Sequence, residues 1–352
     1  IYPTAIFFVG LLAYANSLGN GFTFDDFAVV VDNPVVAEAK LLDVFTTPYW
    51  PGMPDVGHYR PLTVFTFVAN RILGGSGPSG FHLTNVALHL LNASLLFWLI
   101  GRMVRDEHGA GFGALLFLLH PVHTEAVNSV VGRAELVAAV CVLTALALYI
   151  GASEAEGRRQ RILLFASVLL GFLGCLAKEQ AALLVVVLIG YDLMILLRRG
   201  TRISLRRFVR FDLIRYTPYV MAVGLYFVIR SHVTGAWLLP GQPSFIDNHL
   251  AHVGLWERVF SSVDTIGRYV WMLFCPYPLS ADYAYNAIPT VSSAWSLPFL
   301  ASLLLVGSAC LALVLSMRRK WPAEVGFGVL IVGLFLLPVS NLLFVIGTRF
   351  GE

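Results

Sequence analysis

Charged residues are scarce in this chain. Asp, Glu, Lys and Arg make up only 13% of the 352 residues, whereas hydrophobic residues make up 57% and the mean hydropathy is +0.76. Soluble domains carry about 25% charged residues, because their surfaces face water. The composition therefore excludes a soluble enzyme and predicts an all-α polytopic membrane protein.

Cysteine is also rare, and its spacing excludes two further classes of protein. The four cysteines form no CxxC pair, which argues against a disulfide framework and against a zinc ribbon. Glycine-rich phosphate loops and internal repeats are absent too, so we predict no nucleotide site and no cofactor. The net charge of +3 comes from basic loops between apolar runs, and we infer no nucleic-acid partner from it.

Long apolar runs are what the sequence has in abundance. A helix needs about 20 apolar residues to cross about 30 Å of hydrocarbon, because lipid offers the backbone no hydrogen-bond partner. About nine runs approach this length. They lie at 2 to 18, 82 to 101, 109 to 126, 134 to 152, 162 to 177, 180 to 197, 214 to 231, 295 to 317 and 324 to 346.

Basic residues between these runs predict the orientation of the chain. Arginine and lysine concentrate in short loops that we predict to be cytoplasmic, at 102 to 105, 158 to 161, 198 to 215 and 318 to 320. The loops 19 to 80 and 232 to 294 then lie on the opposite side. Within the second loop, a short apolar stretch carries Asp264 and Arg268, which favours a re-entrant or interfacial helix over a span.

Two adjacent acids, Asp25 and Asp26, follow the first apolar run. Ionisable groups at the membrane are costly to bury, so each is a candidate for a functional site. Phe22, Phe24 and Phe27 flank the pair, and aromatic surroundings would desolvate a carboxylate and raise its proton affinity, as suits a general base. The alternative is that the two acids only solvate the start of a loop.

Cations at the same predicted membrane face could bind a phosphate. Arg60 precedes a proline, so its backbone is extended, and its guanidinium could bind phosphate in bidentate fashion. Lys178 lies in a hairpin with almost no loop, where it could meet an anionic lipid headgroup. The alternative for each is a side chain that snorkels to the interface. The predicted phosphate-binding residues are Arg60, Lys178, Arg230 and Arg349.

Further polar residues at outer span ends could line a donor or acceptor pocket. Among them, His120, His123 and Glu125 could in principle bind zinc, but Pro121 bends the chain between the histidines and HExxH is absent. We therefore predict hydrogen-bonding or acceptor-binding roles and no metal. The predicted pocket residues are His58, Tyr59, His82, His120, His123, Glu125, Arg133, Glu179, Gln180 and Asp282.

The order of several motifs carries a resemblance to a known family. The motifs are FTFDD, HYRPLTVFTF, FHLTNVALHLLN, HPVHTEAVNSVVGRAELVA, LAKEQ and PLSADY. In this order, the chain resembles the transmembrane-and-TPR O-mannosyltransferases, whose animal members act on cadherins, and their bacterial relatives. The resemblance implies a GT-C glycosyltransferase-like helical bundle with a large first extracytoplasmic loop. Because family members continue into further spans and TPR repeats, we expect residues 1 to 352 to be a partial GT-C domain.

The resemblance also implies a reaction. A membrane glycosyltransferase would move a sugar, mannose, from a polyprenyl-phosphate donor to a Ser or Thr hydroxyl of a protein acceptor, with inversion, on the extracytoplasmic face. Asp25 would be the base, and Asp26 would hold it or the acceptor in place. We expect a multi-pass protein of the bacterial inner membrane, or of the endoplasmic reticulum in a eukaryote.

Three alternatives to this function stay open. The same transfer could go to a lipid or glycan acceptor. A lipid transporter or flippase would also be polytopic, but it should carry ionisable groups near the middle of its spans. A metalloprotease would depend on His120, His123 and Glu125.

Overall fold

The computed structural model describes residues 2–53, 56–200, 213–235, 243–280, 282–283 and 287–351. Helices dominate these ranges, and no strand occurs within them. Of the predicted basic loop residues, Arg202, Arg206, Arg207 and Arg210 lie outside the described residues. The longer helices are α1 (Tyr2–Tyr14), α2 (Pro61–Gly74), α3 (Pro78–Val104), α4 (Glu107–Leu119), α5 (Arg133–Ser153), α6 (Gly157–Ala177), α7 (Leu184–Arg198), α8 (Leu213–Thr234), α9 (Leu255–Met272), α10 (Leu297–Met317) and α11 (Ala323–Val339).

Several of these helices are long and apolar enough to cross a membrane. In the described part of the chain they are α3, α5, α6, α10 and Glu179–Arg198, which includes α7. The bent pair Glu107–Leu119 and Pro121–Asn128 would form one more span. The prediction of an all-α polytopic membrane protein is thus confirmed. The other predicted runs overlap α1, α8 and α11, and the total of nine spans stays a prediction.

Prolines set several helix boundaries. Pro61 and Pro78 each open a helix, where the missing N–H would have no intrahelical partner anyway. Pro121 follows α4, and the chain bends by 49° there, which divides the predicted run 109 to 126. The predicted run 324 to 346 was too long. Its helix ends at Val339, directly after Pro338 and just before Asn341, whose φ of +61° is left-handed.

The described residues form two compact units. One comprises Ile1–Val185 and Arg206–Leu239, and the other comprises Val186–Leu205 and Pro240–Glu352. In the first unit, α3 packs against α1, α4 and α5, while α6 packs against α5 and α8. In the second unit, α10 packs against α9 and α11.

The described residues of the predicted first loop, 19–53 and 56–80, belong to the first unit. Asn33 caps the short helix Pro34–Ala37, because its side chain accepts a hydrogen bond from the Val35 N–H at 2.9 Å. Buried valines of the loop pack against Phe67 of α2 and Phe81 of α3. This core fixes the loop on the helices and so positions the polar residues that it carries.

Candidate active site

The two predicted acids are adjacent, but their surroundings differ. Asp26 is fully buried, and its carboxylate accepts hydrogen bonds from the backbone N–H groups of Thr23, at 3.0 Å, and Val131, at 2.9 Å. The second bond joins the first loop to the segment that leads into α5. Asp26 therefore ties two parts of the fold together and fixes its neighbour Asp25.

Asp25 has the properties expected of a general base. Its side chain is solvent-exposed and makes no hydrogen bond or ion pair with a residue in the described ranges. The surrounding chain still desolvates its carboxylate, which raises the pKa of Asp25, and the charge of Asp26 raises it further. The preceding Phe24 has a φ of +45°, which non-glycine residues rarely adopt and which often marks functional sites.

Tyr49 connects the acids with the first predicted cation. The guanidinium carbon of Arg60 lies 4.9 Å from the centre of the Tyr49 ring, in a cation–π contact. The Tyr49 hydroxyl is buried and has no hydrogen-bond partner among the described residues. Burial raises the pKa of the Tyr49 hydroxyl, and the charges of Arg60, Glu135 and Asp25 also influence that pKa. Tyr49 is thus close enough to the predicted base and to the predicted phosphate-binding arginine for both charges to influence its pKa.

Two carboxylates hold two of the predicted phosphate-binding cations. Glu179 accepts hydrogen bonds from Arg60, from Nε at 3.1 Å and from Nη2 at 2.7 Å. The adjacent Lys178 forms an ion pair with Glu135 in the first turn of α5. The side chains of Arg60 and Lys178 are only 11% and 15% exposed. Salt therefore screens the part-buried Arg60–Glu179 pair less than it screens surface pairs.

His58 and Arg230 lie beside the Arg60–Glu179 pair. The distance from His58 Nε2 to Glu179 Oε1 is 4.0 Å. Burial and the nearby charge of Arg60 lower the pKa of His58 to about 4, so the ring is neutral at pH 7. The charge of Arg230 also acts on His58. We define the acid–cation cluster as Asp25, Tyr49, His58, Arg60, Glu135, Lys178, Glu179 and Arg230.

Helix α8 holds the segment that carries His58 and Arg60. Nε of Arg230 donates a hydrogen bond to the Gly57 carbonyl at 2.7 Å, and the Tyr226 hydroxyl donates to the Tyr59 carbonyl at 3.2 Å. These bonds fix the backbone on both sides of His58.

The end of α6 brings the hairpin residues to the same place. Thr63, in the first turn of α2, donates a hydrogen bond from Oγ1 to the Ala177 carbonyl at 2.9 Å. Ala177 is the last residue of α6 and directly precedes Lys178 and Glu179. The bond therefore places the start of α2 next to the hairpin, where Arg60 meets Glu179.

Arg133 is fully buried and bonds within the fold. Its Nε donates to Asn85 Oδ1 at 2.8 Å, and its Nη2 donates to the Phe81 carbonyl at 2.7 Å. Nη1 donates to the Thr66 carbonyl at 3.3 Å and to the Asn70 side chain. These bonds join α2, α3 and α5. Arg133 thus holds α2, which begins directly after Arg60, together with α3 and with α5, which carries Glu135.

The predicted histidines of the HPVHTE motif lie at the bend after α4. Nδ1 of His120 accepts a hydrogen bond from the Val122 N–H at 3.3 Å, and the His123 ring packs 4.3 Å from the Phe117 ring. Glu125 is exposed. Across the described ranges, no group of three or more His, Cys, Asp or Glu residues could hold a metal ion.

Three other predicted pocket residues have different surroundings. His82 is fully buried in α3, and neither ring nitrogen has a hydrogen-bond partner among the described residues. Tyr59 is buried, and its hydroxyl donates to the Phe45 carbonyl at 2.9 Å. Gln180 is half-buried beside Glu179.

The remaining predicted residues, Arg349 and Asp282, belong to the second unit. Arg349 is 1% exposed. It donates hydrogen bonds to Nε2 of His249 at 2.8 Å, to the Pro289 carbonyl at 2.9 Å and to the Ile288 carbonyl. Arg349 therefore joins segments of its own unit. Asp282 is exposed.

Sequence reasoning missed two residues of the cluster. Glu135 stands in the GRAEL motif, and a carboxylate in the first turn of an apolar helix is itself a signal that could have found it. Tyr49 had no such signal, because aromatic residues are common in loops near a membrane. Its role follows only from the fold that places its ring against Arg60.

Known proteins resemble this chain over nearly its whole length. It is 30% identical over 373 residues to Protein O-mannosyl-transferase TMTC1 of Homo sapiens. This alignment covers 96% of the chain and 42% of that protein. It is also 27% identical over 359 residues to Protein O-mannosyl-transferase F38B6.6 of Caenorhabditis elegans, and this alignment covers 98% of the chain and 47% of that protein. The chain is a relative of the protein O-mannosyl-transferases. The resemblance predicted from the motifs is thus confirmed.

The chain spans about half of the length of these O-mannosyl-transferases, or less. The chain is 29% identical over 384 residues to Protein O-mannosyl-transferase TMTC4 of Homo sapiens. That alignment covers 51% of TMTC4 and 96% of the chain. No protein-family model and no solved structure matches the chain.

Proposed function

We propose that this chain is the membrane part of a glycosyltransferase that moves mannose from a polyprenyl-phosphate donor to a Ser or Thr hydroxyl of a protein. The acid–cation cluster carries the proposal, because it combines an exposed carboxylate of raised pKa with cations suited to a phosphate. The names of the relatives support mannosyl transfer to protein. The predicted topology supports an extracytoplasmic site.

The charges of the cluster favour a lipid-linked monophosphate as the donor. Arg60, Lys178 and Arg230 provide positive charge, which Glu179 and Glu135 partly offset. Apart from the base Asp25, the remaining charges of the cluster are therefore modestly positive, which suits a phosphodiester with one negative charge better than a nucleotide diphosphate. A lipid donor would also reach the site by lateral diffusion, so no nucleotide-binding loop is needed.

The reaction is a single displacement in this proposal. Asp25 takes the proton from the acceptor hydroxyl, and the hydroxyl oxygen forms a bond to the anomeric carbon of the sugar. The bond from that carbon to the phosphate oxygen breaks, and its electron pair leaves with the polyprenyl phosphate. Attack from the face opposite the phosphate inverts the configuration. Arg60 and Lys178 stabilise the charge that grows on the phosphate.

Replacement of the base tests the proposal. General-base catalysis contributes about 10² to 10⁴-fold, so Asp25→Asn should lower transfer by about that factor. The assay supplies the purified protein in nanodiscs with radiolabelled polyprenyl-phosphate mannose and a Ser/Thr-rich peptide. Asp43→Asn, an exposed acid elsewhere in the same loop, is the matched control and should keep parental activity. Undiminished transfer by Asp25→Asn would exclude Asp25 as the base.

The acceptor is tested separately. If a lipid or glycan is the true acceptor, labelled mannose should appear in the lipid or glycan fraction while the peptide stays unlabelled. That result would keep the donor assignment and replace the acceptor.

A further inference from the structure

The Arg60–Glu179 pair has a geometry that leaves part of the arginine available. A guanidinium has two edges that can each bind an oxyanion through two N–H groups. Glu179 occupies the edge formed by Nε and Nη2. The other edge is formed by Nη1 and the second N–H of Nη2. Nη1 donates no hydrogen bond within 3.5 Å to a residue in the described ranges.

The surroundings prevent the guanidinium from rotating freely. One face of Arg60 lies over the Tyr49 ring, and the side chain is 11% exposed. The carboxylate of Glu179 is held by its place in the hairpin directly after α6. With Tyr49 against its face and Glu179 along one edge, the arginine has a single orientation.

We infer that Glu179 is a positioning residue that orients Arg60 so that its free edge receives the donor phosphate. This inference rests on the proposed function and deepens it. Glu179 stays bound to Arg60 when the phosphate binds, because the two anions use different edges of the guanidinium. A carboxylate that merely filled the phosphate site would instead compete with the donor and leave when it binds.

Donor binding separates these two roles. The probe is radiolabelled polyprenyl-phosphate mannose, and its dissociation constant is measured with the purified protein in nanodiscs, without an acceptor. Glu179→Gln keeps the shape of the side chain but loses the paired acceptors, so donor binding should weaken about tenfold. Glu154→Gln is the matched control, because Glu154 also pairs with an arginine, Arg102, away from the cluster.

A double-mutant cycle distinguishes positioning from a general loss of structure. Lysine cannot present the bidentate edge of an arginine, so Arg60→Lys should weaken binding about tenfold. In that background Glu179 has nothing left to orient, and adding Glu179→Gln should change binding by less than about threefold. Glu179→Asp keeps the charge and should recover part of the affinity.

Each outcome has a distinct meaning. If the parent protein binds no donor, the proposed function fails and the inference fails with it. If the parent binds the donor but Glu179→Gln binds it equally or more tightly, the proposed function stands and the positioning role is wrong. Fully additive effects of Glu179→Gln and Arg60→Lys would also contradict the positioning role. Equal melting temperatures of the variants show that all of them are folded.

Discussion

Asp25 and Asp26 have the same side chain and adjacent positions, yet the fold places them in opposite environments. Asp26 is buried and accepts two backbone hydrogen bonds, which favours its folded position. Asp25 is exposed at the surface but has a raised pKa, because it is partly desolvated and lies beside the charge of Asp26. A group whose folded pKa is raised favours folding below its unfolded pKa, and that contribution is lost as pH rises through the folded pKa. At neutral pH the ionised Asp25 therefore opposes folding.

The two aspartates should respond oppositely to the same substitution. Asp25→Asn removes an unfavourable charge, so its melting temperature at pH 7 should equal or exceed that of the parent. Asp26→Asn should lower it, because an amide cannot accept both backbone N–H bonds, and an unsatisfied buried group costs about 1 to 3 kcal/mol. Thermal unfolding of both variants in detergent, followed by tryptophan fluorescence, checks this. A larger loss for Asp25→Asn than for Asp26→Asn would contradict it.

The sequence could predict some of these roles but not all. Asp25 and Arg60 stand out because a charged residue near an apolar run is conspicuous whatever the fold. The difference between Asp25 and Asp26 depends on a hydrogen bond from Val131, more than 100 positions away. Arg133 was predicted in the pocket, but its contacts with α2 and α3 arise from tertiary packing. Local sequence patterns do not predict such contacts.

At the scale of elements, α9 has an unusual distribution of side chains. Ser261 and Asp264 are buried, whereas Leu255, Trp256 and Trp271 are exposed. In water an amphipathic helix would place these residues the other way round. Exposed tryptophans are typical of a helix at a membrane interface. The predicted interfacial position of this segment agrees with the pattern and stays a prediction.

The contact between α9 and α10 depends on a glycine. A Cβ added at Gly267 would lie 2.5 Å from the Cα of Ser302 and 2.2 Å from its Cβ. The same addition at Gly307 in α10 would meet no atom within 4 Å. Gly267 therefore allows the backbones of the two helices to approach closely.

Alanine at these two glycines should give opposite results. Gly267→Ala should destabilise the second unit by about 1 to 3 kcal/mol, because the helices must move apart. Gly307→Ala should be neutral or stabilising by about 0.5 to 1 kcal/mol, because alanine loses less backbone entropy in a helix. Thermal unfolding of the two variants compares them directly. Equal melting temperatures would show that α9 and α10 do not pack as described.

At the scale of the whole molecule, composition was the most informative property of the sequence. Apolar runs predict membrane helices because the requirement is local: each span must satisfy its own backbone and match the bilayer. Boundaries were less predictable where a helix ends although hydrophobicity alone would continue it, as at Val339, which is soon followed by the left-handed Asn341. The sequence predicted only that Arg60, Lys178 and Glu179 lie at the same membrane face. Their pairing depends on how α2, α5 and α6 pack.

The central claim is that the acid–cation cluster binds a lipid-linked sugar phosphate with its sugar facing Asp25. Cryo-electron microscopy of the Asp25→Asn variant in nanodiscs with polyprenyl-phosphate mannose tests it most directly, because the inactive variant should retain the donor. We predict phosphate density within hydrogen-bond distance of the free edge of Arg60, Glu179 still paired with that arginine, and the anomeric carbon facing residue 25. Donor density away from Arg60 and Lys178, with residue 25 facing bulk solvent, would contradict the account.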